Sequence, residues 1–271
     1  MKELIQHISS QLRAVYPTDE ADTLAWWIIE ETTHLSRSQI LTGCKGTTNF
    51  PNLQILEPII ARLLHFEPIQ YIFGHTLWCG LDLKVTPATL IPRPETAELV
   101  ERIKVKGERL KVLDVGTGSG CIALAIKKHH PEWEVTGIDI CAEAIEVAKE
   151  NAILNHIDVD FIEKDIFSDF NGSFDIVVSN PPYICEQEKS SMRPNVLDHE
   201  PSRALFVPDS DPLLFYRRIA SLRLGAYLFF EINEKYPDEM AKMLQESGYT
   251  DIRVSEDIYG KPRIIEARLI Q

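Results

Sequence analysis

With 271 residues, 44% of them hydrophobic and 25% charged, the chain can bury a core without disulfides or metals, and its composition is neither fibrous nor disordered. A net charge of −13, from 28 basic and 41 acidic residues, argues against a tight nucleic-acid binder, which needs a basic footprint to meet phosphates. Five widely spaced cysteines (Cys44, Cys79, Cys121, Cys141 and Cys185) form no C-x-x-C pair, which argues against a disulfide framework or a zinc site and fits a reducing cytoplasm.

The opening residues mix charge and amide with Leu4, Ile5, Ile8 and Leu12, so no secretory leader is expected. The apolar run near residues 224–230 is too short to cross a bilayer, and no membrane partner is expected. Leu4, Ile8 and Leu12, spaced by four, predict a first helix. A second follows Pro17, with Thr18 as N-cap, Asp19 and Glu20 at the positive end of its dipole, and a stripe of Ala21, Leu24, Ala25 and Ile28. Of the adjacent Trp26 and Trp27, one is expected to face the core and the other the surface. A short helix around 38–42 is expected to stop at Gly43, and another to run from Asn52 to Leu64 on Leu53, Leu56, Ile60 and Leu63. Residues 1–74 therefore read as a small helical domain without a catalytic pattern, whose natural use is to bind a partner.

The period then shifts toward two at Leu77, Leu81, Leu83 and Val85, with Gly74 and Gly80 as turn residues, which predicts a β-hairpin linker over 75–90. Over 91–271, strands expected at 111–115, 134–139, 159–163, 174–179 and 226–232 alternate with helices at 121–129, 143–155 and 213–221. Such alternation predicts an α/β, Rossmann-like domain on a mostly parallel sheet covered on both faces. His129 and His130 close a helix before Pro131, where positive charge suits the helix end better than metal ligation. The long, patternless stretch 184–208 is expected to be a substrate-side lid.

Two stretches carry chemistry. Strand 111–115 runs straight into Gly116, Thr117, Gly118, Ser119 and Gly120, and then a helix. Glycines there permit positive φ and close approach of backbone N–H groups to a ligand. Asp139, ending the next strand, can accept both hydroxyls of an adenosine ribose. A dinucleotide loop would need Gly or Ala where Cys121 stands. Gly-x-Gly-x-Gly instead suits S-adenosylmethionine, which has no phosphate to cradle.

The second stretch is the end of strand 174–179, followed by Asn180-Pro181-Pro182-Tyr183. In a doubly wound sheet this fourth strand lies beside the first and opens onto the switch-point crevice. Two prolines cannot continue a ladder, so they fix a rigid extended turn with free carbonyls. The Asn180 side-chain oxygen and the Pro181 carbonyl can each accept one N–H of a planar –NH₂ group. As a methyl group transfers, positive charge moves onto that nitrogen and both acceptors bind the transition state more tightly. Tyr183 is expected to lie flat against the planar group, and no ionised base is needed. Cys185 follows closely, but with no partner His it reads as a non-catalytic thiol.

On these residues the chain resembles the bacterial N5-glutamine methyltransferases of peptide-chain release factors, the PrmC/HemK family. The resemblance extends to Pro68-Ile69-Gln70-Tyr71-Ile72-Phe73-Gly74, Leu90-Ile91-Pro92-Arg93-Pro94-Glu95-Thr96, His199-Glu200-Pro201 and Asp257-Ile258-Tyr259-Gly260-Lys261-Pro262-Arg263. It implies a Rossmann-like catalytic domain behind a helical substrate-recognition domain, S-adenosylmethionine as cofactor, and methylation of the Gly-Gly-Gln glutamine of release factors. It also implies cofactor contacts from Gly116, Thr117, Gly118, Ser119, Gly120, Asp139, Asp165, Ile166 and Asn180. Asn180, Pro181, Pro182 and Tyr183 would take the substrate amide, with Asn180, Pro181 and Tyr183 catalytic. Ile166 stands where the family often has an aromatic residue, so apolar contact without ring stacking is expected. Ala97 replaces a frequent acidic residue, and Asp211-Pro212-Leu213 replaces Asp-Gly-Leu. Competing readings are a glutamine methyltransferase of a large-subunit ribosomal protein and an adenine-N6 nucleic-acid methyltransferase. More distant are a non-catalytic nucleoside-binding module and an NAD oxidoreductase.

Overall fold

A computed structural model describes residues 1–42, 53–103, 105 and 107–270. Gly43, Cys44 and Asn52 lie outside the described residues. The chain forms two compact units, Met1–Gly74 with Arg193–His199, and His75–Met192 with Glu200–Gln271.

The first unit contains helices Lys2–Leu12, Thr18–Thr33, Arg37–Thr42, Leu53–Leu64 and Ile69–Phe73. Its core is built from the expected stripes: Ile8, Leu12, Ala21, Ala25, Ile28 and Leu56 are fully buried. Thr18 is the first helical residue and not the cap; Pro17 holds the cap position with an extended ψ of 154°, and its carbonyl accepts from Ala21 N at 2.9 Å. The two tryptophans do not divide between core and surface. Both flank the buried stripe half-buried, Trp26 beneath the Arg37 guanidinium and Trp27 donating from Nε1 to Glu31. Residues 193–199 join this unit through Arg193 Nη2, 2.6 Å from Glu20 Oε2, and His199 Nε2, which donates to the His65 carbonyl at 2.9 Å.

The second unit opens with an antiparallel hairpin, β1 (His75–Trp78) and β2 (Leu81–Lys84). Leu77 is 77% exposed, against the expected inward stripe. Across a two-residue turn, directly opposed residues share a face, so Trp78 pairs with Leu81 and Thr76 with Leu83, leaving Leu77 outside with Asp82. The fully buried Asn151 holds the hairpin: Oδ1 accepts from Lys84 N at 2.7 Å, and Nδ2 donates to the carbonyls of Lys84 and Ser119.

Among the described residues nine more strands follow: β3 (Lys111–Val115), β4 (Glu134–Asp139), β5 (Asp160–Glu163), β6 (Phe174–Ser179), β7 (Ile184–Cys185), β8 (Phe206–Val207), β9 (Gly225–Glu231), β10 (Tyr249–Glu256) and β11 (Pro262–Leu269). Seven of them form one sheet in the order β10-β11-β9-β6-β3-β4-β5, parallel from β9 to β5, with β11 antiparallel to both its neighbours. Central strands are apolar in consecutive residues, such as Ile176, Val177 and Val178, because separate apolar clusters cover the two faces. Helices Cys121–His129 and Ala142–Asn155 pack on one face, and Leu214–Leu222 and Pro237–Glu246 on the other.

Helices Pro94–Arg102 and Pro237–Glu246, and strands β10 and β11, have no counterpart among the sequence expectations. The stretch 184–208 is not patternless: it holds β7, β8, a 3₁₀ helix over Glu186–Ser191 and helices Pro194–Leu197 and Ser202–Leu205. Elements this short reveal no periodicity. Among the described residues, no helix is long and apolar enough to cross a membrane.

Candidate active site

The order of the sheet places its switch point between β3 and β6, since the chain leaves β3 toward β4 and β5 and returns to β6. A cavity of about 540 Å³ opens there, at the carboxyl ends of β3, β4 and β6. Gly116, Thr117, Gly118, Ser119, Asp139, Asp165, Ile166, Asn180, Pro181 and Pro182 all line it. Gly120 and Tyr183 are not among its lining residues.

The glycine loop is bent by positive φ at Gly116, Gly118 and Gly120. Gly118 has open space where a Cβ would be, and its N–H donates to Asp139 Oδ2 at 2.9 Å. Gly120, with φ 80°, caps helix Cys121–His129, and a Cβ there would lie 2.8 Å from Phe161 Cζ. Asp139 Oδ1 also accepts from Cys141 N at 2.9 Å, so two backbone donors aim the carboxylate while each oxygen keeps a lone pair.

Below the loop, Asp114 is fully buried. Its Oδ2 accepts from Thr117 Oγ1 at 2.6 Å and from Ala123 N at 3.3 Å, while Oδ1 has no hydrogen-bond partner among the described residues. Burial pushes this carboxyl up to about 7, outweighing those two hydrogen bonds. Burial, followed by the neighbouring Asp114, likewise pushes the Cys121 thiol up to about 12, which keeps it protonated and unreactive.

After β5, Asp165 Oδ1 accepts from Phe167 N at 2.8 Å, and the buried Ile166 gives its carbonyl to Arg218 Nε at 2.8 Å. Phe167 and Phe215 also line the cavity, edge to face at 5.4 Å. The wall therefore offers aromatic surface one residue beyond Ile166, where none was expected.

The Asn180-Pro181-Pro182-Tyr183 turn forms the opposite wall. Ser179 Oγ donates to the Val115 carbonyl at 2.6 Å and ties the turn to β3. Asn180 Nδ2 donates to Thr96 Oγ1 at 3.3 Å, and Tyr183 donates from its hydroxyl to Glu231 Oε1 at 3.0 Å. The Tyr183 ring packs, partly buried, against the apolar cluster around β6 and β9. Burial and then Glu231 raise its phenol well above the usual range, so it stays protonated.

Sequence reasoning gave no role to Arg93, Thr96, Asn151, Phe167, Glu200, Phe215 or Glu231. Glu231 left one signal: a carboxylate closing the apolar run Leu228-Phe229-Phe230 must be buried or end a strand, and it does both. Among the described residues, no group of three or more His, Cys, Asp or Glu is placed to hold a metal.

The Methyltransferase small domain family matches residues 94–199, which carry the glycine loop, Asp139 and the Asn180 turn. Among solved structures, the hMettl16 catalytic domain superposes with a TM-score of 0.57 at 16% identity, over 76% of this chain and 84% of its own, a likeness of fold alone. Fold, loop and family make the chain a Rossmann-like methyltransferase dependent on S-adenosylmethionine. The PrmC N-terminal domain family matches residues 3–74. A release factor glutamine methyltransferase of Bacteroides thetaiotaomicron is 44% identical over 98% of this chain and 99% of its own. Another, from Flavobacterium psychrophilum, is 40% identical over 94% of each. The chain belongs to the release factor glutamine methyltransferases.

Proposed function

We infer that the protein methylates the side-chain amide nitrogen (N5) of the glutamine in the Gly-Gly-Gln loop of a peptide-chain release factor. The observation that carries this reading is the Asn180 turn facing the glycine loop and Asp139 across one cavity. An open loop at Gly118 and an aimed carboxylate at Asp139 fit a nucleoside whose ribose hydroxyls need an acceptor. S-adenosylmethionine supplies an electrophilic methyl group on its sulfonium. Residues 116–120 would hold it by backbone, Asp139 by the ribose hydroxyls, and Asp165 and Ile166 at the adenine, with Phe167 and Phe215 beside them.

Asn180 Oδ1 and the Pro181 carbonyl then accept the two N–H groups of the acceptor amide and fix its nitrogen. Their stabilisation grows as that nitrogen gains positive charge. Tyr183 holds the turn through Glu231. Burial raises both the Cys121 thiol and the Tyr183 phenol, which suits a reaction that works by positioning the amide and needs no ionised base. A single side chain buries too little area for specificity, since a standard interface covers ~800 Å² per partner. We therefore assign docking of the release factor's body to residues 1–74, with 75–90 as the hairpin linker and 91–271 as the catalytic domain. The acidic surface suits a partner with local positive charge and disfavours direct nucleic-acid binding, and the reaction belongs in the cytoplasm.

The test offers labelled S-adenosylmethionine with intact release factor, large-subunit ribosomal proteins, or adenine-containing nucleic acid, and locates the methyl group by mass spectrometry. Methylation of the Gly-Gly-Gln glutamine is expected. A methyl group found only on a ribosomal protein or on adenine overturns the reading.

A further inference from the structure

We propose that Thr96 and Glu231 are positioning residues that set which end of the Asn180 amide faces the acceptor. The inference rests on the role given above to Asn180 Oδ1. Thr96 and Glu231 are each 2% exposed, and Thr96 Oγ1 donates to Glu231 Oε2 at 2.7 Å. Burial raises the Glu231 carboxyl, while the hydroxyls of Thr96 and Tyr183 and the Arg263 charge favour its ionised form; in that form it accepts only, so the threonine hydroxyl spends its one proton on Glu231. What the hydroxyl can still offer to Asn180 is a lone pair. Asn180 must answer with an N–H, and Nδ2 lies 3.3 Å away. Among the described residues none donates to Asn180 Oδ1, which is left for the substrate.

The other oxygen of the same carboxylate accepts from Tyr183 at 3.0 Å. One buried carboxyl group therefore fixes both ends of the turn, Asn180 through Thr96 and Tyr183 directly. Tyr216 donates to the Glu231 backbone carbonyl at 2.8 Å and holds the end of β9 in register with this task. The relay has a direction as well as a shape. If Glu231 could donate, the Thr96 hydroxyl could turn its proton toward Asn180. The Asn180 amide would then flip and bring its NH₂ against the NH₂ of the substrate.

The test uses the full chain with intact release factor, in the variants Thr96→Val, Thr96→Ser, Glu231→Gln and, as a separate check, Asn180→Ala. Thr96→Val keeps the shape of the side chain but removes its hydroxyl. Glu231→Gln keeps the shape but introduces a donor. Both are expected to lower kcat on the order of 10- to 100-fold, with S-adenosylmethionine affinity by calorimetry within about twofold. Thr96→Ser is expected to restore most of the turnover lost in Thr96→Val. Folded Thr96→Val and Glu231→Gln proteins with wild-type kcat, beside an inactive Asn180→Ala, overturn the relay and leave the role of Asn180 standing. A Thr96→Ser loss as large as that of Thr96→Val, or a loss carried by cofactor affinity, also overturns it, because packing would then explain the defect. Wild-type turnover in Asn180→Ala overturns the underlying reading itself. Should Glu231→Gln fail to fold, the Thr96 pair decides alone.

Discussion

Arg93 Nη2 lies 2.6 Å from Glu200 Oε1, an ion pair between residues 107 apart whose carboxylate side chain is wholly buried. The second Glu200 oxygen accepts from Ile91 N at 3.3 Å. The Arg-Pro-Glu-Thr and His-Glu-Pro segments thus meet through one charge pair at the rim of the cavity, which Arg93 lines. Arg93→Met would leave Glu200 buried with a single backbone donor. Breaking a buried pair costs ~3–5 kcal/mol, and with the Arg93 side chain 33% exposed, solvent should reduce the loss to about 2 kcal/mol. Urea denaturation of Arg93→Met and of Arg93→Met/Glu200→Met checks this, with partial recovery expected in the double variant. A single variant within about 0.5 kcal/mol of wild type would show the pair to be idle.

Asp139→Ala should weaken S-adenosylmethionine binding, because in the role proposed for Asp139 each ribose hydroxyl loses a charged acceptor worth ~1.5–3 kcal/mol. The loop also loses the anchor of Gly118 N and Cys141 N. Asp139→Asn keeps one acceptor oxygen and should fall between the two. Calorimetry on folded variants measures the effect; unchanged affinity in Asp139→Ala would remove the ribose role.

Gly120→Ala should destabilise the catalytic unit. The new Cβ meets Phe161 Cζ at 2.8 Å and Ala148 Cβ at 3.1 Å, and an L-residue is strained at φ 80°. Strain and overpacking together are expected to cost about 1–3 kcal/mol, read as a lower Tm. Adding Phe161→Leu should relieve the contact with the ring but not the backbone strain. A Tm equal to wild type would mean that the helix start shifts freely.

Asp114 makes stability depend on pH. Its folded carboxyl, raised to about 7, keeps its proton where the unfolded chain has lost it. The contribution is therefore fully present below about pH 4 and falls as pH rises toward 7, by up to ~1.4 kcal/mol per unit. Asp114→Asn removes this titration, so the stability of wild type minus variant should fall with pH over that window. Denaturation of the cofactor-free proteins at several pH values gives the difference, and a flat difference would mean that Asp114 is already ionised throughout.

Much of this was legible in the chain because it is local. Strand β3, its glycine loop and helix Cys121–His129 are contiguous, and their apolar period and turn chemistry lie in one short stretch. The same holds for β6 and its Asn-Pro-Pro-Tyr end. Strands β10 and β11 escaped because β10 is a mostly exposed edge strand with irregular register, so no alternation marks it. Leu77 misled because alternation says which residues share a face, but a two-residue turn decides how the second strand's parity joins the first.

By itself, the sequence determined the class of sheet, the glycine loop after β3, the Asn-Pro-Pro-Tyr turn after β6 and the family they belong to. Each of these is written in neighbouring residues whose backbone preferences and periodicity need no distant partner. Only the tertiary structure decided what stands behind those motifs. Asn180 reaches Thr96 across 84 residues, Thr96 reaches Glu231 across 135, and Tyr183 reaches Glu231 across 48. It also carried residues 193–199 into the helical unit and set Phe167 beside Phe215. A hydrogen bond acts over about 3 Å and has no memory of chain separation, so its partners become known only once the sheet and helices have packed.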